Sequence, residues 1–489
     1  MPVNYIPTGA EYFRFLPEII LTIVATVVMM LEPVIGQRNR SFLPNLSMAG
    51  LFAALWAAVV AYSNPGPAFH DMLLVDGFAT FFRVLVIAVG ILVVFASGQY
   101  LRREKAEAGE YHALLLFSIV GQCILASANE LMMVFIGIEI SSIASYILAG
   151  YLRDDKRNNE AAIKYFLLGS FATAFLLYGV AWIYGLTGST NLTEIRRILN
   201  TPEIAPSLSL VGTSAALMFV GFAFKVSAAP FQVWAPDVYQ GAPVPVSAFM
   251  SAGPKAAAFA VFLRVYMTAF EPISDRWAPI IWISALLTMI VGNFAAIRQN
   301  NIKRMLAYSS IAHAGYVMVA VTAHSSIGTA AAMFYLASYA FMNVGAFAVV
   351  THFARQGEQY LKIDQMAGLA KRQPATAALL TVFLLSLIGV PLTGGFFGKF
   401  YVFKAALDAH LVWLTVLGLL NSAVAAFYYL RIMVVMYMHE PGEATESLQP
   451  LGAGLKTAIW ISALATLFLG IFPADVLNFA GKSAGEMMK

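Results

Sequence analysis

The chain has 489 residues, of which 60% are hydrophobic and only 11% charged, a composition far more apolar than that of a soluble globular domain. Its formal net charge of +4 argues against a nucleic-acid surface, and the single cysteine, Cys123, excludes a disulfide framework, a CxxC motif and a four-thiolate iron–sulfur site. These limits point to an all-α polytopic membrane protein, since helices satisfy their own backbone in lipid.

About 20 apolar residues carry a helix across the hydrocarbon core. The first run begins near Phe15, after Glu11 and without a basic flank, and predicts a retained span over 15–36 rather than a cleaved signal peptide. Two more spans follow at 43–63 and 76–98, completing an N-terminal three-helix segment. Spans at 111–128, 130–152, 161–187, 209–240 and 244–270 form a second group, and those at 277–297, 303–323, 327–353, 375–405 and 409–438 a third. A last span at 456–479 brings the expected number to about fourteen, in one membrane domain covering 1–489. Between the sixth and seventh spans, LTEIRRILNTPEIA spaces its apolar residues as a short interfacial helix would.

Lys and Arg collect in alternate short loops: Arg38 and Arg40; Arg102, Arg103 and Lys105; Arg153, Lys156 and Arg157; Arg298, Lys303 and Arg304; Arg355, Lys362, Lys371 and Arg372. By the positive-inside rule these loops face the cytoplasm, which puts both termini on the periplasmic side.

The seventh and twelfth spans are too long for one crossing. GFAFKVSAAPFQVWAPDVYQ contains Pro230 and Pro236, and LIGVPLTGGFFGKFYVFK contains Pro391, Gly394 and Gly395, so both predict helix breaks. Broken helices in two halves of a transporter point to an ion site. Lys225 and Lys399, beside the two breaks, are 174 residues apart, as are Glu139 and His313. That offset suggests two inverted five-helix repeats, spans 4–8 (111–270) and spans 9–13 (277–438); it also sends Lys255 to Tyr429.

An ionisable side chain at mid-membrane costs about 2.5–3.5 kcal/mol on insertion scales, so each one is a functional candidate. Glu139 in VFIGIEISSIASY, Lys225 in FVGFAFKVSAAP, Lys255 in SAGPKAAAFA and Lys399 in GGFFGKFYVF all meet this description. The competing role for each is a structural ion pair or, for lysine, snorkelling to the interface. Lys164 lies a turn inside the sixth span, within reach of headgroups, and His313 could be a packed core histidine or a relay. Glu18, Glu32, Arg83, Arg264 and Arg431 are expected near span ends, as interfacial anchors or contacts to a neighbouring helix. No metal or haem ligand set is expected.

The run FKVSAAPFQVWAPDVYQGAPVPVSAFMSAGPKAAAFA, with MLAYSSIAHAGY and GVPLTGGFFGKFY, resembles the antiporter-like membrane subunits of proton-pumping NADH:quinone oxidoreductase, respiratory complex I. The resemblance covers about 70–435 and is strongest to the subunit N branch; the subunit M branch places glutamate where Lys399 stands. It implies a proton relay of Glu139 paired with Lys225, Lys255 on the central axis, His313, the terminal Lys399, and Lys164 in the sixth span. It also implies no cofactor in this chain, with NADH, FMN, iron–sulfur clusters and quinone held by partner subunits. The partners implied are the other membrane-arm and peripheral-arm subunits, including an adjacent antiporter-like subunit, in a bacterial plasma membrane. Cation/proton antiporter subunits of the Mrp type and membrane-bound hydrogenase subunits share the lysine framework and stand as the alternative.

Overall fold

The computed structural model describes residues 5–35 and 42–488, so Arg38 and Arg40 lie outside the described residues. The chain is nearly all helical, relieved by one antiparallel hairpin that pairs Gly66–Ala68 with Leu73–Val75. Among the described residues twelve helices are long and apolar enough to cross a membrane. The first and twelfth expected spans are built from shorter pieces. The first is Leu16–Leu31, entered from the capped turn Gly9–Arg14, and the twelfth is the pair Pro374–Ile388 and Gly394–Asp408. The interfacial stretch forms the helix Leu192–Leu199, which buries Leu192, Ile195, Ile198 and Leu199.

Burial sorts the helices. Val244–Ala269, Ile302–Thr322 and Ser326–Ala354 bury 94% of their apolar windows, whereas Phe42–Ala61 and Val412–Met438 bury 39%. A helix apolar on all sides and buried on all sides belongs to the centre of the bundle, and one buried on a single stripe belongs to its rim. Lys255 and His313 are therefore on central helices.

Both breaks are present, and each is shorter than the sequence reading put it. The first runs between Leu208–Val226 and Trp234–Gly241 and includes Pro230, but Pro236 falls in the first turn of the second piece. There proline's missing N–H is one the helix leaves unpaired anyway. The second runs between Ile388 and Gly394 and includes Pro391, whereas Gly394 and Gly395 open the following helix. Ser227 (φ 62°) turns the first break, and Gly389 (φ 95°) and Leu392 (φ 69°) turn the second. Lys225 precedes its break and Lys399 follows its own, so the 174-residue offset superposes the lysines but not the breaks.

The freed backbone groups are paired as burial demands. Ala229 N donates to Thr288 Oγ1 (2.7 Å), Ser284 Oγ donates to Ala229 O (2.5 Å), and Trp234 Nε1 donates to Phe224 O (2.9 Å).

Loop contacts separate the two ends of the bundle. At one end Arg157 Nη2 donates to Gly357 O, Gly357 N to Glu104, Arg431 Nη2 to Asn300, and Lys371 pairs with Glu440. At the other, Arg14 reaches Asn64 and Pro67, Asn129 and Asn191 reach Asp71 O, and Arg196 reaches Met488 O. The described basic loops thus share one end, and described residues near both termini share the opposite one.

Four charges expected near span ends or in loops are inside. Arg83 and Glu18, both 0% exposed, form an ion pair at 2.7 Å. Arg264 makes two hydrogen bonds of 2.9 Å to Asp76, and Lys303, 0% exposed, binds Glu358 at 2.7 Å. Sequence reading put these near headgroups because it could not see the partners, which come from distant segments.

Candidate functional site

Lys225 lies one residue before the end of its half-helix. Its Nζ donates to Ser142 Oγ (2.7 Å) and Tyr146 OH (3.2 Å), with the rings of Tyr146, Phe224 and Tyr165 within 5.4–6.0 Å. It makes no ion pair with Glu139. Glu139, Ser142 and Tyr146 are spaced i, i+3, i+7 and share a helix face. The ammonium is thus placed along the same face as the carboxylate, about one turn (~5 Å) further on. Glu139 Oε1 is buried without a hydrogen-bond partner. A cavity of about 20 Å³ beside Lys225 is lined by Ser141, Ser142, Ser145, Tyr165, Trp234 and Pro254, among others. That volume is enough for about one water molecule.

Polar contacts lead from here toward the central helix. Ser118 Oγ bridges Ser141 and Ser145, and Gln122 Nε2 donates to Ser118 Oγ (3.1 Å). Gln122 Oε1 then abuts Gly253, where a Cβ would come within 2.7 Å of it, so glycine is what lets the amide lie against the helix two residues before Lys255. Lys255, 2% exposed, donates to Ser310 O (2.9 Å) and to Ser310 Oγ. The neighbouring Ser309 shares a hydrogen bond with Tyr429, whose hydroxyl is 3.2 Å from His313 Nε2. His313 Nδ1 is 2.7 Å from Tyr335 OH. The His313 ring meets Tyr316 edge-on at 5.6 Å, and Lys399 Nζ stands 4.8 Å over the Tyr316 ring.

Lys399 caps the first half of its own broken helix. Its Nζ donates to Leu387 O (3.1 Å), Ile388 O (2.8 Å) and Ser422 Oγ (2.7 Å). A cation at carbonyls freed by a helix C-terminus is favoured by the local dipole. Among the described residues no carboxylate lies within 4.0 Å of Lys225, Lys255 or Lys399; each is held by hydroxyls, carbonyls and aromatic faces. Such ligands accept from an ammonium, and the hydroxyls can also donate to a neutral amine. The arrangement therefore suits a change of protonation without loss of all hydrogen bonds.

Lys164 is elsewhere. It is 40% exposed, binds Glu160 (2.6 Å) and Asp237 (2.8 Å), and lines a cavity of about 230 Å³ with Arg157, Gln240 and Arg304 at the basic-loop end. Arg304 Nη1 also donates to Asp237 (2.7 Å). The next residue, Tyr165, stacks on Trp234 at 4.5 Å and lies beside the half-buried Lys225, so an aromatic pair stands between neighbours of this cavity and the first relay candidate. Among the described residues no three of His, Cys, Asp and Glu gather as metal ligands.

Residues 128–425 match the family model described as NADH:quinone oxidoreductase/Mrp antiporter, TM. The chain is 66% identical over 487 residues to NADH-quinone oxidoreductase subunit N 1 of Solibacter usitatus, covering 100% of both. The chain belongs to the NADH-quinone oxidoreductase subunit N family. Its fold matches a chain of respiratory complex I from Thermus thermophilus with bound aureothin, with TM-score 0.82 and 33% identity over 95% of this chain and 99% of that one. A chain of the Mrp complex from Dietzia sp. DQ12-45-1b is alike in fold alone, with TM-score 0.86 at 19% identity over 99% of this chain and 98% of that one.

Several residues of the candidate site were not singled out as such in the sequence: Ser142, Tyr146, Ser310, Tyr335, Tyr429 and Asp237. Two signals were available. Ser142 and Tyr146 follow Glu139 at helical spacing, and Tyr429 is the position to which the 174-residue offset carried Lys255. Tyr335 and Ser310 had no local signal, because their partners lie on other helices.

Proposed function

We propose that this chain is the proton-translocating element of its NADH-quinone oxidoreductase, carrying protons along Lys225, Lys255, His313 and Lys399 while NADH, FMN, iron–sulfur clusters and quinone react in partner subunits. The observation that carries the proposal is a pair of contact runs, Lys255 to Ser310 and Ser309 through Tyr429, His313 and Tyr316 to Lys399, which meet at the adjacent residues Ser309 and Ser310 of one central helix. Uptake is from the cytoplasm at the cavity of Lys164 and Asp237, past Tyr165 to Lys225. Glu139, with an unpaired buried oxygen one turn away, is the group toward which Lys225 swings, so the switch is a lysine that exchanges Ser142 and Tyr146 for a carboxylate. Moving one charge against 100 mV costs about 2.3 kcal/mol, comparable to one charged hydrogen bond gained or lost, so a swing of this size is of the right order to gate transfer.

The membrane is a bacterial plasma membrane with both termini periplasmic, which the clustering of the basic loops at the other end supports. The test is Lys225→Ala in membrane vesicles containing the assembled complex. NADH oxidation with uncoupler should persist while protons translocated per NADH fall; unchanged translocation rejects the relay.

A further inference from the structure

Among the buried ion pairs that the relay leaves unused is Lys303 with Glu358. Glu358 sits in the link after the helix Ser326–Ala354 with φ 52°, between Gly357 (φ 66°) and the pairing of Ile302 N with Leu361 O (2.8 Å). A non-glycine residue in the left-handed region is held there only when its surroundings demand it. The carboxylate supplies that demand. Oε1 accepts from Val244 N (2.9 Å) and Tyr100 OH (2.8 Å), and Oε2 accepts from Lys303 Nζ (2.7 Å). Lys303 Nζ also donates to Ala242 O (2.5 Å).

These partners are the ends of the two helices that meet at Lys255. Val244 is the first residue of the helix that bears Lys255, and its neighbours Pro243 and Pro245 have no N–H, so the carboxylate takes the one backbone donor this helix start offers there. Lys303 is in the first turn of the helix that bears Ser310. From Val244 to Lys255 is about 16 Å along one axis, and from Lys303 to Ser310 about 10 Å along the other. A slip of one helix past the other by a single residue rise, about 1.5 Å, would stretch the 2.9 Å bond from Lys255 to Ser310 O to between about 3.3 and 4.4 Å, from the weak edge of hydrogen bonding to beyond it.

We propose that Glu358 is a positioning residue for proton transfer: by holding Val244 and Lys303 at once it fixes the axial register of the two central helices, and with it the Lys255–Ser310 contact. The inference rests on the relay reading above. Tyr100 and the Gly357 contacts to Glu104 and Arg157 tie the same carboxylate and its link to the long helices Gly77–Arg103 and Lys156–Thr187, so the clamp is anchored on both sides.

The test is a double-mutant cycle in vesicles carrying the assembled complex, reading protons translocated per NADH oxidised for Glu358→Gln, Ser310→Ala and the two together. Glu358→Gln should lose about half or more of the translocation that Lys255→Ala loses, and adding it to Ser310→Ala should lose less than the sum of the two single losses, because the hydroxyl part of the Lys255–Ser310 contact is removed by both. Wild-type translocation in Glu358→Gln, or a fully additive double variant, overturns the proposal. Tyr100→Phe removes one donor to the same carboxylate and carries the same cycle if Glu358→Gln does not assemble. Were Lys255→Ala itself to pump normally, the relay reading would fall; a defective Lys255→Ala beside a normal Glu358→Gln would defeat only the clamp.

Discussion

Lys255→Met separates a charge kept for transport from one kept for structure. Lys255 is 2% exposed and bound only to Ser310 O and Oγ, with no carboxylate within 4.0 Å among the described residues. The substitution loses a charge-assisted contact of about 1.5–3 kcal/mol. It also relieves the burial of an ammonium, an effective penalty of several kcal/mol. Methionine is unbranched and fills nearly the same volume, and Ser310 O keeps its helical partner while Ser310 Oγ can turn to a backbone carbonyl. The balance is a complex as stable as wild type or about 1–3 kcal/mol more stable, with impaired pumping. Thermal denaturation of the purified complex reads the first quantity and dye-monitored acidification of vesicles the second. A variant that is markedly destabilised yet pumps normally would show that Lys255 is a structural group and would refute this reasoning.

Arg83→Met leaves the Glu18 carboxylate buried without its cation and should cost about 3–5 kcal/mol, most of it recovered when Glu18→Gln is added; denaturation of the single and double variants checks this. In Gly395→Ala the new Cβ would land on the backbone carbonyl oxygen of Ser386, so the second break should open and the yield of assembled complex fall, by overpacking worth about 1–3 kcal/mol or more. Glu11, before the first span, is held down to about 2 by hydrogen bonds from Tyr5 and from the Thr8 backbone. A depressed carboxyl stabilises above its ordinary value of 4.5, and that contribution is lost as pH falls through about 2, so the protection factor of the Phe69 amide, which donates to Glu11 at 2.7 Å, measured against the intrinsic exchange rate at each pH, should fall over that interval and stay level above it.

The sequence displayed what depends on composition and local order. Long apolar runs marked the helices, Pro230 and Pro391 marked the two breaks, and lone charges singled out Glu139, Lys225, Lys255, His313 and Lys399 as candidates. It misjudged what depends on packing between distant segments. Lys303 read as a loop cation because it stands beside Arg304 before an apolar run, yet a carboxylate 55 residues later carries it inside. Arg83 and Glu18 read as headgroup anchors for the same reason, each being close to a span end in its own helix. The Lys225 pair is the subtler case: the glutamate lies on the right face, but the ammonium rests a turn away on a serine and a tyrosine. Side-chain choice among polar neighbours on one face is set by three-dimensional reach, which helical periodicity does not encode.

The central claim is that Lys225 and Lys399 act in series on one route. The direct measurement is protons translocated per NADH oxidised in vesicles bearing Lys225→Ala, Lys399→Ala and the double variant, at matched NADH oxidation. A series route predicts that each single variant is defective and that the double loses no more than the worse of the two. Independent losses that add in the double variant, or normal translocation in either single one, would contradict it.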